Sequence, residues 1–296
     1  MKRKRLIAGG LAILLLVVLV IWFAGTLLIS PVQRTVGRLP ADLAGGSVEF
    51  PSESGALIRG WFLPGRPGAD TIILMHGVRA SRLDMLERAR FLSRAGYSVL
   101  LFDFQAHGES TGKQITFGFL ESRDARAAVK FVRAEAQQEK VGIIAVSMGG
   151  AAALLATPPL SVDAIVLEQV YPTLDQAISD RISMRLGPWS GVFAPLLSWQ
   201  LRPRLGVGTD ALRPLAHAGK VSAPKLLIGG TEDQHTTPQE MRKLFDAATE
   251  PKELWMVPKA KHVDLCRFGQ LEYQTRVLNF FARHLRGILG PGESSP

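Results

Sequence analysis

The stretch 141-VGIIAVSMGGAAALLA-156 decides the fold. Its first six residues form an unbroken apolar run rich in β-branched side chains, which reads as a strand buried on both faces. The run passes without a spacer into glycines and alanines that read as a tightly packed helix. Ser147 stands at the junction. A nucleophile elbow needs this context: the turn is sharp, its flanking residues are small, and the serine hydroxyl projects above the sheet. The spacing is G-x-S-x-G, with Ala145 in place of the first glycine and Gly149 as the second. The N–H of Met148, at the helix start, is suited to stabilising a developing oxyanion.

Working outward, apolar runs alternate with amphipathic stretches over residues 46–287. This is the pattern of an α/β domain with helices on both faces of a mostly parallel sheet. Eight strands are expected, at 47–50, 56–63, 71–77, 97–104, 141–147, 164–170, 225–230 and 253–258. The first two alternate in hydropathy and are separated by PSESG, so they read as an antiparallel edge hairpin. Helices are expected at 81–96, 121–138 and 271–286. The alternation breaks at about 173–217, a segment containing Trp189, Trp199, Pro188, Pro195 and Pro203, which reads as a cap inserted between two strands.

A serine hydroxyl is a weak nucleophile and requires a base that is itself oriented by an acid. In this context the chain order is serine, acid, histidine. Asp233 follows the strand at 225–230, and His262 follows the one at 253–258. Both then lie at the carboxyl edge of the sheet. His235, His217, His107, His76 and His284 compete for the role of base, and Glu168 and Asp264 for that of acid. His235 is only two residues from Asp233. His217 lies in or just after the cap, and His284 shares the last helix with Arg283, which suggests a surface position. His76-Gly77 ends a strand so that the N–H of Val78 becomes the second oxyanion donor. His76, Asp103 and His107 read as residues bracing these loops, because buried polar groups need partners.

Residues 6–30 carry no charge and, as a helix, would reach about 37 Å, enough to span a bilayer core. The stretch is too long for the apolar segment of a cleaved signal peptide. It is expected to be an uncleaved single-pass anchor, after a basic stub (residues 1–5) and before a linker (31–45) and the domain (46–287). Residues 288–296 read as a flexible tail. The stub should stay in the cytoplasm and place the domain on the far side of the membrane. The formal charge of +9 is concentrated in residues 1–38, which hold six basic residues and no acid. The remaining +3 is a mixed surface, which argues against a nucleic-acid partner. The lone Cys266 cannot form an intramolecular disulfide. It reads as a small residue near a helix start, and no spacing suggests a metal site.

The chain resembles the α/β-hydrolase superfamily through HG at 76–77, DFQAHGES at 103–110, SMGG at 147–150, G-x-x-D at 230–233 and KH at 261–262. Within it, the resemblance is to the serine aminopeptidase/monoacylglycerol-lipase-like branch and its membrane-anchored bacterial members. It implies an eight-stranded sheet, a Ser147–Asp233–His262 triad, Val78 and Met148 at the oxyanion hole, and no cofactor. The activity expected is hydrolysis of a small-molecule or lipid ester, or of a thioester, through an acyl-enzyme. Rival readings are an aminopeptidase-like amide hydrolase and an inactive anchored binding module. Apolar cap residues from Ile182 to Trp199 are expected either to line an acyl site or to pack the cap. Oligomeric state is not legible.

Overall fold

The computed structural model describes residues 2–135 and 139–287. It opens with helix α1 (Lys2–Ile29), followed at once by the two-residue strand β1 (Val32–Gln33). The main sheet contains β2 (Gly46–Pro51), β3 (Leu57–Leu63), β4 (Thr71–Met75) and β5 (Ser98–Asp103). After a short β6 (His107–Gly108), which pairs with β1, it continues through β7 (Val141–Val146), β8 (Ala164–Glu168), β9 (Lys225–Gly230) and β10 (Lys252–Val257). The strand order is β10-β9-β8-β7-β4-β5-β3-β2. Only the β2–β3 and β3–β5 pairs are antiparallel. The eight expected strands are all present, and β4, β5, β8 and β9 are buried from end to end and β7 up to Ala145, as their unbroken apolar runs require.

One face of the sheet packs on α3 (Glu121–Glu135), α4 (Met148–Leu155) and α8 (Pro238–Ala247), through residues such as Ala128, Ala152 and Leu244. The other packs on α2 (Leu86–Arg94) and α9 (Leu265–Leu285), through Leu92, Tyr273 and Phe281. The cap is α5 (Leu174–Leu186), α6 (Ser190–Trp199) and α7 (Leu201–Leu205), leading to a 3₁₀ segment at Pro214–Lys220.

The helices differ in detail from expectation. The stretch 81–96 is not one helix: Ser81 and Asp84 close a capping box around a 3₁₀ turn, Arg82–Met85, before α2 begins. The closing helix starts at Leu265, capped by Asp264. It breaks at Gln270 (φ 42°, ψ −119°), so the expected 271–286 corresponds to its second segment. The helix expected at 121–138 runs to Glu135; its last three residues and the tail from 288 lie outside the described residues. Residues 31–45 lie against the domain, tied by β1–β6, an Arg90–Asp42 ion pair, and Glu109 accepting from the N–H groups of Val36 and Gly37.

Strand register sets the positions of the functional loops. Met75 pairs with Ala145, Val146 with Glu168, and Glu168 with Ile228, while Gly230 pairs with Val257. The chain therefore leaves β4, β7, β8, β9 and β10 along one edge, where open α/β sheets build their sites.

Candidate active site

At the end of β7 the backbone turns sharply. Ser147 has φ 50° and ψ −111°, a conformation that L-residues adopt at a penalty of about 1–3 kcal/mol. Two contacts hold the turn. The Ser147 N–H donates to Glu168 O at 2.8 Å. Gly149 lies so close to the end of β4 that a Cβ there would stand 2.7 Å from the carbonyl oxygens of Met75 and His76. The motif therefore requires glycine at this position for close approach, while Ala145 fits a fully buried site in the strand. Met148 is the first residue of α4, and N–H groups in a first helical turn have no intrahelical acceptor.

Asp233 is buried in the loop after β9, and all its acceptor directions are used. Its Oδ1 accepts from the N–H groups of His235 and Thr236. Its Oδ2 accepts from His262 Nδ1 at 2.8 Å and from Gln169 Nε2 at 2.9 Å. Burial alone would raise its pKa. The bond and charge of His262, with the two N–H donors, outweigh burial and hold the carboxyl below its ordinary value. Nδ1 of His262 is thus committed to the acid, which leaves Nε2 as the nitrogen available for other chemistry. Gly230 lets the acid and histidine loops meet, since a Cβ there would overlap Ala260 O.

Ser147 and His262 line one polar cleft of about 670 Å³, together with Gly77, Val78, Gln169 and Arg181. A cavity of about 320 Å³ with mostly apolar walls adjoins it; Val78, Arg181 and His235 border both, and Met148 lines the second. A larger hollow of about 850 Å³ lies against α5 and α6 and includes none of the candidate catalytic side chains, so size alone would misplace the site.

The loop carrying Val78 is held by two buried histidines. His76 Nδ1 lies 2.7 Å from Gly77 O and so donates to it, while Nε2 accepts from the Phe104 N–H. His107 repeats the pattern: Nδ1 donates to Gln105 O, and Nε2 accepts from the Arg79 N–H. Both tautomers follow from the acceptors, and burial pushes both pKa values down, keeping the rings neutral. Asp103 accepts from the N–H groups of Arg82 and Glu109 and pairs with the Arg82 guanidinium at 3.1 Å.

The competing residues are engaged in other contacts. His235 stacks on His262 with ring centroids 5.0 Å apart and gives its N–H to Asp233. Glu168 is bound by Arg88 and by the Tyr273 hydroxyl, both buried. Asp264 pairs with Arg88 and caps α9. His217 sits on the 3₁₀ segment after the cap. His284 is not a plain surface residue, since its ring packs on Phe280 with centroids 4.8 Å apart. Cys266 is buried near the start of α9, and burial pushes its thiol up to about 12. Two features escaped sequence reasoning. Gln169 joins the acid to the histidine loop by donating to both Asp233 and Lys261 O, and Arg88 is a cation buried beneath the cleft. Gln169 follows a strand directly, as Ser147 does, and that position was its only signal. Among the described residues no group of three or more His, Cys, Asp or Glu could hold a metal ion.

Residues 67–204 match the family described as Serine aminopeptidase, S33. The fold is matched by the Pyrococcus furiosus esterase Pf2001 at 26% identity and a TM-score of 0.71, over 86% of this chain and all of that one. The chain has the α/β-hydrolase fold. Curated relatives of this chain include YqkD of Bacillus subtilis, 27% identical over 78% of this chain and 77% of that protein. Another is YfhR of Salmonella typhi, 26% identical over 95% and 97%.

Proposed function

We propose that the chain is a serine hydrolase of carboxylic esters acting through Ser147, His262 and Asp233. The observation that carries this reading is the 2.8 Å contact of Asp233 Oδ2 with His262 Nδ1, in a cleft whose wall includes Ser147 at a strained turn. Neutral His262 takes the Ser147 proton through Nε2 as Oγ attacks the ester carbon. Asp233 holds the ring and stabilises the imidazolium. The N–H groups of Val78 and Met148 receive the oxyanion. As the intermediate collapses, the ester C–O bond breaks and the imidazolium returns its proton to the departing alcohol. Water then repeats the attack and frees the acid and Ser147. No cofactor enters the sequence.

An amide hydrolase selecting a free amino terminus would need an uncommitted carboxylate in the cleft. The carboxylates lining it, Asp84 and Asp264, are engaged by Arg34 and by Arg88, and Arg181 and Arg267 add positive charge. This disfavours an ammonium group and supports the ester reading over the aminopeptidase one. Lys4–Ile29 is long and apolar enough to cross a membrane. We read it as a single-pass anchor, with the basic stub in the cytoplasm and the domain on the opposite side.

A fluorophosphonate probe tests the assignment. Wild-type protein should be labelled at Ser147 and Ser147→Ala should not. Equal labelling of the two would sink it, and no labelling of either would favour an inactive binding module.

A further inference from the structure

The apolar cavity beside the nucleophile is not closed by the domain alone. Gly25 and Leu28, from the last two turns of α1, form part of its wall together with Val78, Met148 and the cap residues Ile178, Ile182 and Leu197. The helix is held there by specific bonds. Gln200, itself buried, donates to Ile21 O at 3.1 Å, and its amide occupies the space that a Cβ on Gly25 would need. Arg204 donates to Trp22 O and Thr26 Oγ1, with its guanidinium 3.9 Å from the Trp22 ring centroid. Arg79, next to Val78 in the chain, donates to Leu27 O at 3.0 Å.

The surface around this junction is apolar as well. Leu186, Val192 and Leu196 of the cap are exposed, and Trp189 and Trp199 are 65% and 72% exposed. They lie on or next to α6, which packs against α1, itself exposed along most of its length. Tryptophans beside an apolar helix are characteristic of a membrane–water boundary.

We propose that this cavity is an acyl-binding site walled partly by the chain's own membrane helix, and that it takes the acyl chain of a lipid ester directly from the bilayer. The chain slides along α1 past Gly25 and Leu28 while the polar head enters the arginine-lined cleft, which brings the ester carbonyl to Val78 and Met148. A volume of about 320 Å³ falls at the lower end of ordinary ligand pockets and suits one acyl chain better than two. The inference rests on the ester-hydrolase and anchor readings above.

The test uses the full chain in phosphatidylcholine vesicles, with p-nitrophenyl butyrate and palmitate as substrates. Leu28→Trp narrows the cavity where α1 borders it. It should lower the palmitate-to-butyrate ratio of kcat/KM at least tenfold. Leu19→Trp, on the exposed part of the same helix, should leave that ratio within twofold of wild type. An unchanged ratio in Leu28→Trp would overturn the proposal while leaving the hydrolase intact. Were wild type neither to turn over these esters nor to take the fluorophosphonate, the hydrolase reading would fail and binding alone would decide. A diazirine-bearing palmitate should then crosslink to residues 25–28, and crosslinks spread evenly along α1 would refute the site.

Discussion

In the proposed mechanism Gln169 is a positioning residue that takes no part in bond making. It has φ 50°, is almost fully buried, and spends both amide hydrogens on the acid and on the histidine loop. Replacing it with leucine leaves a buried carboxylate oxygen and a carbonyl short of a donor, a loss of about 1–3 kcal/mol. If that loss is felt in the orientation of His262, Gln169→Leu should reduce kcat for a short ester by about 10- to 100-fold with little change in KM. An unchanged kcat in a folded variant would count against this positioning role. Such a residue is hard to find in a sequence, because glutamine after a strand carries no signature of its own. The residues of the proposed triad, Ser147, Asp233 and His262, stand out in the sequence for the opposite reason: each residue type has few uses at its position, and chain order constrains all three.

At the scale of elements, the strands were legible because burial on both faces leaves an unbroken apolar run. Helix ends were less so. The break at Gln270 and the 3₁₀ turn at Arg82–Met85 depend on tertiary neighbours and capping that periodicity does not register. The junction of β4, β7 and α4 offers a direct test. In Gly149→Ala the new methyl meets two backbone carbonyls that cannot rotate away, so the variant should lose about 1–3 kcal/mol of stability. Thermal melting should register this, together with weaker fluorophosphonate labelling. An unaltered melt would show that the elbow is looser than the geometry implies. Arg88 makes a second test. From α2 it binds Glu168 of β8 at 2.7 Å and Asp264 at 2.9 Å, and it touches the Tyr273 hydroxyl of α9. Arg88→Met would strand a buried carboxylate and should destabilise the protein by about 3–5 kcal/mol. A small change in the denaturation midpoint would contradict that. Periodicity over 81–96 does not single out this arginine, since a paired buried cation looks like a surface one until its partners are known.

Across the whole molecule, buried carboxyls set a dependence on pH. Asp124 accepts from Ser52 Oγ, Ser54 Oγ and the Gln105 N–H, yet burial pushes it from 3.8 to about 7. Glu240 is raised to about 7 as well, by burial and the nearby Asp180. A folded-state pKa above the unfolded one means that the folded form holds the proton more tightly. Stability from these groups is complete below about 4 and is lost as pH rises through about 7. The buried neutral His76 and His107 act in the opposite sense below about pH 6.5, so the carboxyl contribution is read as a difference: relative to Asp124→Asn, the urea midpoint of the full chain in detergent should fall between pH 5 and pH 8. Over that range the difference between wild type and Asp124→Asn should change by at most about 3 kcal/mol. An identical slope in wild type and variant would remove Asp124 from the account.

Only Ser30 and Pro31 separate the end of α1 from β1, and β1 is fastened to β6 of the folded domain. Two residues reach at most about 7 Å. Under the anchoring proposed above, the enzyme is less a body on a leash than a fixture in the surface, unable to swing out and sample the surrounding solution. Its encounters with a lipid substrate would then be collisions in a plane. The turnover rate would follow the mole fraction of substrate in the leaflet and stay indifferent to how much membrane the suspension contains.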